Sequence, residues 1–206
     1  MSCIRKYEKR LEGAKFRIIN ELMYKNQEIA PEQLLEYHIG YRSQTHKWPV
    51  NPINAIIEHL KTKEYGKIAD VGCGEALLAQ SIPNVCSYDY YPINESIIKC
   101  DINEIKCGDE EYDCVVYCLS LMKNNVGAAM KECNRMVKKN GNVIIAEVLS
   151  RITNLNEFYT QMLTMGFKKS GVLAKNDFFI VIEFVKIKEC DRAADIFLKE
   201  CVYKKR

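Results

Sequence analysis

Between residues 67 and 187 short apolar runs alternate with amphipathic stretches of helical period. The apolar runs predict strands near 67–71, 85–89, 97–100, 113–118, 142–148, 167–173 and 177–185. The amphipathic stretches predict helices near 75–81, 124–138 and 154–165. Alternation of this kind marks an α/β sheet. Residues 174–177 are too few for a parallel crossover, so the last two strands are expected to form an antiparallel hairpin. Residues 90–96 are also too few for the usual crossover helix. The same holds after Asp101, so this side of the sheet is expected to be thinly covered. Upstream, Phe16, Ile19, Leu22 and Met23 fall on one helical stripe, and a second short helix is expected after Pro31. Residues 37–52 are dense in polar and aromatic side chains. With Gly40, Pro49 and Pro52 they predict a loop with fixed corners. Pro52 then opens a helix carrying Ile53, Ile56, Ile57 and Leu60.

The expected fold class is α/β and Rossmann-like: a mostly parallel seven-stranded sheet with a C-terminal antiparallel hairpin strand, plus a helical N-terminal lid. The expected division is a basic helical lid over residues 1–66, a ligand-binding core over 67–187, and a basic extension over 188–206 packed on that core.

The candidate chemistry sits where the first strand ends. The segment Ile68-Ala-Asp-Val-Gly-Cys-Gly-Glu75 runs from an apolar strand through two glycines into the next element. Glycines tolerate positive φ and let a ligand approach the backbone, and a parallel sheet binds its ligand beyond the carboxyl ends of its strands. The pattern departs from the dinucleotide fingerprint. Gly72 and Gly74 supply G-x-G, but Glu75, Ala76 and Leu77 follow, with no third glycine and with an acid that repels phosphate. Asp70 before the turn and Asp89 at the end of the second strand suit a ligand with an ammonium group and a ribose. S-adenosylmethionine has both. Asp70 either fixes the loop or faces the ammonium; Asp89 suits the ribose hydroxyls.

Composition narrows the class. The chain has 206 residues, 48% hydrophobic, enough for a substantial core. No apolar run approaches the length of a membrane span, and the first ten residues show no signal-peptide apolar region. There are ten cysteines but only three histidines, and no pair of cysteines has C-x-x-C spacing. Reduced thiols in a cytosolic or nuclear compartment are the expectation, without disulfides or zinc. Cys114 and Cys118, four apart on a strand, should face one side as small hydrophobes. The net charge of +3 hides basic segments at both ends. Arg5, Lys6, Lys9, Arg10, Lys15, Arg17 and Lys25 lie near the start, and Lys204, Lys205 and Arg206 close the chain. They suit either an anionic partner, RNA first among them, or solvated helix faces.

Several separated segments resemble the ribosomal RNA-processing protein 8 family, called nucleomethylin in animals. They are Gly13-Ala-Lys-Phe-Arg17, Tyr37-His-Ile-Gly-Tyr-Arg-Ser-Gln44, Trp48-Pro-Val-Asn-Pro52, Ala69-Asp-Val-Gly-Cys-Gly74, Tyr117-Cys-Leu-Ser-Leu-Met122, Ala146-Glu-Val-Leu-Ser-Arg151 and Cys201-Val-Tyr-Lys-Lys-Arg206. The resemblance implies a class I, S-adenosylmethionine-dependent enzyme of the nucleus and nucleolus, methylating N1 of an adenine in large-subunit ribosomal RNA. Pre-ribosomal or chromatin proteins are implied as further partners. Larger members carry a long basic extension before this domain, which here begins almost at Met1.

The resemblance also implies roles. His38 reaches the cofactor's carboxylate from the lid, and Gly72 approaches its methionine end. Asp101 accepts from the adenine amine, Ile102 covers the ring, and Cys118 packs below the sulfonium. Arg42, Gln44, Trp48 and Asn51 fall on the RNA side. Trp48 has two readings, stacking on a flipped base or anchoring the lid. Adenine N1 presents an in-plane lone pair, so no obligatory general base is expected. Carbonyls of residues 119–122, including Leu119 and Ser120, or the Glu147 carboxylate would face the new cation. Two alternatives stay open: a non-catalytic S-adenosylmethionine-binding module of a chromatin-silencing or ribosome-assembly complex, and a protein or small-molecule methyltransferase on the same fold.

Overall fold

The computed structural model describes residues 2–25, 27–45 and 48–201, with side chains from Leu11 onward. Seven strands form one sheet in the order β3-β2-β1-β4-β5-β7-β6. They are β1 (Ile68–Val71), β2 (Val85–Asp89), β3 (Ile98–Lys99), β4 (Tyr112–Cys118), β5 (Val137–Val148), β6 (Phe167–Lys175) and β7 (Phe179–Lys186). The first five pair in parallel. Strand β7 inserts antiparallel between β5 and β6. Its turn is tied by Asn176 Oδ1, which accepts from the amides of Phe178 and Phe179. The expected hairpin and the mostly parallel sheet are both present.

Strand side chains alternate between two cores, as the pleat requires. Ala69, Val71, Val115, Tyr117, Val143 and Ile145 face one cluster, which also takes in helix α4 (Gly127–Met136) through Met130, Cys133 and Met136. Helix α5 (Leu155–Thr164) joins the same cluster through Phe158 and Met162. Asn154 caps α5, its side chain accepting from the amides of Asn156 and Glu157. Ile68, Cys114, Val116, Ile144 and Ala146 face the opposite cluster, and Cys118 packs on its margin. Cys114 and Cys118 therefore do share a face. On that face helix α3 (Pro52–Leu60) lays down Ile53, Ile56, Ile57 and Leu60. His59 at its last turn meets Glu183 of β7 at 2.9 Å.

Two stretches depart from expectation. Residues 37–52 were expected to be a loop, but helix α2 (Pro31–Thr45) continues through Tyr37 to Thr45. Gly40 lies inside it because a Cβ there would stand 2.5 Å from Cβ of Phe16 on helix α1 (Ser2–Tyr24). A helix-breaking signal in the sequence is thus a close helix crossing in space. The helix expected near 75–81 forms as linked turns instead, with bonds such as Ala76 N to Cys73 O and Gln80 N to Ala76 O. Ala76 sits at φ 54°, off the right-handed helical path. Strand β5 starts earlier than residue 142, directly after α4, with a register shift opposite Tyr112 and Cys114. No helix covers 90–97 or 100–111, and both residues of β3 are exposed.

The chain divides into two compact units, Met1–Asn51 with Glu200–Arg206 and Pro52–Lys199. The sequence division at 66/67 and 187/188 differs because α3 buries its apolar face on the sheet. Residues 190–199 pack on the opposite core through Ile196 and Leu198 and bond to the loop before α4: Leu198 N donates to Asn124 O, and Ile196 O accepts from Val126 N. Within the first unit Phe16 stacks on Tyr37 at 5.3 Å, Tyr37 on Tyr41 at 6.2 Å, and Tyr41 meets Trp48 edge-on at 6.2 Å.

Candidate cofactor site

The five parallel strands end on one edge of the sheet, and the direction of winding reverses beside β1. A crevice at such a reversal is where open α/β sheets hold ligands. The turn leaving β1 is hung from its neighbours by backbone bonds. The amides of Gly72 and Cys73 both donate to Tyr88 O, at 2.8 and 3.0 Å. Gly72 at φ 72° and Gly74 at φ 56° take the left-handed conformation. Gly72 has a second constraint: a Cβ there would lie 2.3 Å from Cβ of Ser120. The space beside Gly72 belongs first to the β4 loop, not to a ligand.

Asp70 is buried at 2% exposure on β1. Among the described residues no hydrogen bond offsets the desolvation of its carboxylate. Desolvation, and then the neighbouring Asp89 charge, push its pKa up to about 7. Its register partner on β2 is Ser87. The Ser87 hydroxyl is buried and, among the described residues, also without a hydrogen-bond partner. A buried carboxylate beside a second acid at the mouth of a glycine turn is costly unless a polar or cationic ligand meets it. Asp89 is held differently. Oδ2 accepts from Gly74 N at 2.8 Å and Oδ1 from Tyr91 N at 2.9 Å, fixing the carboxylate's orientation at the end of β2.

Asp101 follows β3. Its Oδ1 accepts from the backbone and side-chain nitrogens of Asn103, at 2.9 and 2.8 Å, and Oδ2 lies 3.5 Å from Lys123 Nζ. The neighbouring Ile102 packs partly buried against the larger core. Cys118 ends β4, and burial, followed by the charges of Asp70 and Glu147, raises its thiol pKa. It is a packing group beside two acids, not an activated nucleophile.

The three positioning candidates are engaged in structure. Ser120 Oγ donates to Val71 O at 2.6 Å. Leu119 sits at φ 56°, a strained conformation for a branched residue, with its amide on Ala146 O. Glu147 pairs with Arg151 at 2.6 Å and accepts from Val148 N at 2.7 Å. Desolvation pushes its pKa up to about 7 against the pull of the Arg151 guanidinium. Two of the 119–122 carbonyls are already engaged within the protein. Ser120 O accepts from Met122 N, and Leu121 O accepts from Arg151.

His38, Arg42, Gln44, Trp48 and Asn51 all lie in the N-terminal unit. His38 is buried on α2, its ring edge-on to Tyr37 at 5.5 Å. Gln44 Nε2 would touch a Cβ at Gly13. Arg42 is exposed, its carbonyl accepting from the Thr45 hydroxyl. Trp48 lies against Tyr41, a contact that favours its anchoring reading.

Two participants were missed from sequence. Ser87 reads as an ordinary strand serine until its register with Asp70 is known. Arg151 sits four residues after Glu147 past an apolar strand. That charge pair was the available signal, and it looks like a solvated one.

Comparison with known proteins agrees with this fold. A family model described as a hypothetical methyltransferase matches residues 2–206. Ribosomal RNA-processing protein 8 of Drosophila melanogaster is 36% identical, over 98% of this chain and 60% of its own length. The 25S rRNA (adenine(645)-N(1))-methyltransferase of Schizosaccharomyces pombe is 33% identical, over 98% of this chain and 71% of its own. The chain belongs to the ribosomal RNA-processing protein 8 family of methyltransferases. It spans between 46% and 76% of the length of the family's curated relatives. A TehB-like SAM-dependent methyltransferase from Corynebacterium glutamicum shares the fold, with a TM-score of 0.57 and 15% identity. That match covers 76% of this chain and 100% of the other. The sheet of this family member is thus a class I methyltransferase sheet.

Proposed function

We propose that this member of the family uses S-adenosylmethionine to methylate N1 of an adenine in large-subunit ribosomal RNA, in the nucleolus, during ribosome assembly. The observation that carries the cofactor assignment is the buried Asp70, its carboxylate pKa raised by desolvation and by Asp89, beside the glycine turn. The residues present fit the group: Asp70 suits the ammonium, Asp89 the ribose diol, and the Gly72–Gly74 backbone the methionine end. Bound there, the cofactor supplies an electrophilic methyl on a sulfonium. The substrate assignment rests on what the fission-yeast relative is named for. For His38, Arg42, Gln44, Trp48 and Asn51 the family resemblance carries the roles.

The protein's contribution to such a transfer is alignment. A ring nitrogen with a free lone pair needs no base, and orientation alone is worth up to roughly 7–11 kcal/mol. Ser120 and Glu147, both engaged in structural bonds, fit this chemistry. They equally fit a cofactor-binding module without turnover, the second reading. Primer extension on ribosomal RNA separates the two. A strong stop at one adenine should vanish when the gene is removed and return with the wild-type chain. Unchanged adenines would leave only the binding module.

A further inference from the structure

Among the described residues two charged ones are 0% exposed, Lys186 on β7 and Arg151 beyond the strand edge. Arg151 is 0% exposed, in the 3-10 turn Leu149–Arg151 that follows β5. Its guanidinium donates in several directions. Nε donates to Lys199 O at 2.7 Å, Nη1 to Leu121 O and to Glu147 Oε2 at 2.6 Å each, and Nη2 to Lys123 O at 3.2 Å. Two of these carbonyls belong to the loop after β4, whose other end is fixed by Ser120 on Val71 O. The third belongs to residues 195–199, which run beside residues 124–126. Leu198 N donates to Asn124 O, Ile196 O accepts from Val126 N, and Lys199 N returns a bond to Arg151 O. Asn125 and Asp195 add a side-chain bond at 2.7 Å.

A planar guanidinium presents five donors in a fixed fork, and a lysine ammonium cannot occupy these positions together. Burying it costs several kcal/mol, which its contacts must offset. A strap of chain, the β4 loop that packs on Gly72 through Ser120 and the end of β5 meet on this one group. The loop holds strained Leu119, so without the fork it relaxes.

We propose that Arg151 is a positioning residue: it sets the geometry of the Leu119–Lys123 loop and makes that geometry depend on residues 195–199. The inference rests on the methyltransferase reading of the site, and deepens it. Arg151 does not touch the reacting atoms. It holds the wall against which donor and acceptor are aligned.

The test uses the purified full chain, S-adenosylhomocysteine as probe, and ribosomal RNA as methyl acceptor. Arg151→Lys should lower kcat about a hundredfold, the cost of a misplaced site. The Kd for S-adenosylhomocysteine should move by less than about threefold, because Asp70 and Asp89 are untouched. Lys199→Pro, which removes one amide of the strap, should lower kcat in the same direction. Hydrogen exchange on the unmutated protein supplies a readout independent of folding of the variants. The amides of Leu119, Met122, Leu198 and Lys199 should exchange in one cooperative opening. Exchange of Lys199 far ahead of Met122 would overturn the coupling. So would an Arg151→Lys enzyme with unchanged kcat, or one that loses probe affinity and kcat together. A wild-type chain that neither binds the probe nor transfers methyl would instead refute the underlying function.

Discussion

Asp70 is the residue on which the chemistry turns, and its protonation gives a signed prediction. Its pKa stands near 7 in the folded chain against an ordinary 3.8, and that of Glu147 near 7 against 4.5. The folded chain therefore holds protons that the unfolded chain releases from about pH 4 to pH 7. Both acids make the ligand-free protein less stable as pH rises through that window, with the loss complete above it. Urea unfolding at pH 5 and pH 8 should show the decline, and Asp70→Asn should flatten it. Ligand affinity runs the other way. An ammonium needs the ionised carboxylate, so S-adenosylhomocysteine should bind more tightly from pH 6 to pH 8, by up to about tenfold per unit. Calorimetry in buffers of different ionisation enthalpy should register proton release near pH 6. Gly72 gives a second test. Gly72→Ala meets Ser120 at 2.3 Å and holds φ 72°. The clash should cost roughly 1–3 kcal/mol and the dihedral about 1–2 kcal/mol more. Adding Ser120→Gly should restore the first part only, as read by denaturant midpoints. The placement of Asp70, Gly72 and Asp89 around the ends of β1 and β2 was legible because an apolar run closing on an acid and glycines marks a strand end. Ser87 was not, because its meaning comes from pairing across β1 and β2.

At the scale of elements, period and turn chemistry carried most of the sheet. The parallel strands, the hairpin, α3 and the missing helices around β3 all follow from run length and spacing. What failed had a tertiary cause. The helix expected at 75–81 gave way to turns because Ala76 adopts φ 54° as the chain leaves the glycine turn. The loop expected over 37–52 is helical to Thr45 because Gly40, read as a breaker, is a contact point for Phe16. Gly40→Ala should raise local helix propensity by roughly 1 kcal/mol, yet destabilise the N-terminal unit by forcing α1 from α2. Limited proteolysis should show faster cleavage within residues 11–45 of the variant. Slower cleavage would mean that propensity outweighs the crossing.

For the whole molecule, the relation of fold to substrate lies in charge as well as in shape. Lys15 pairs with Glu36, while Arg17 and Lys25 are exposed on the N-terminal unit. The basic residues Arg5, Lys6, Lys9 and Arg10, and the last three, lie outside the described side chains. If these segments meet ribosomal RNA, affinity should fall with salt. Removing Arg17 should lower the log–log slope by about one while leaving cofactor affinity unchanged. The whole scheme depends on the edge of β1 and β2 accepting a zwitterionic nucleoside. Isothermal titration of the purified chain with S-adenosylhomocysteine at pH 8 addresses that directly. The account predicts saturable one-to-one binding that Asp70→Asn and Asp89→Ala each abolish. Binding that survives both substitutions, or no binding by the unaltered chain, would contradict it.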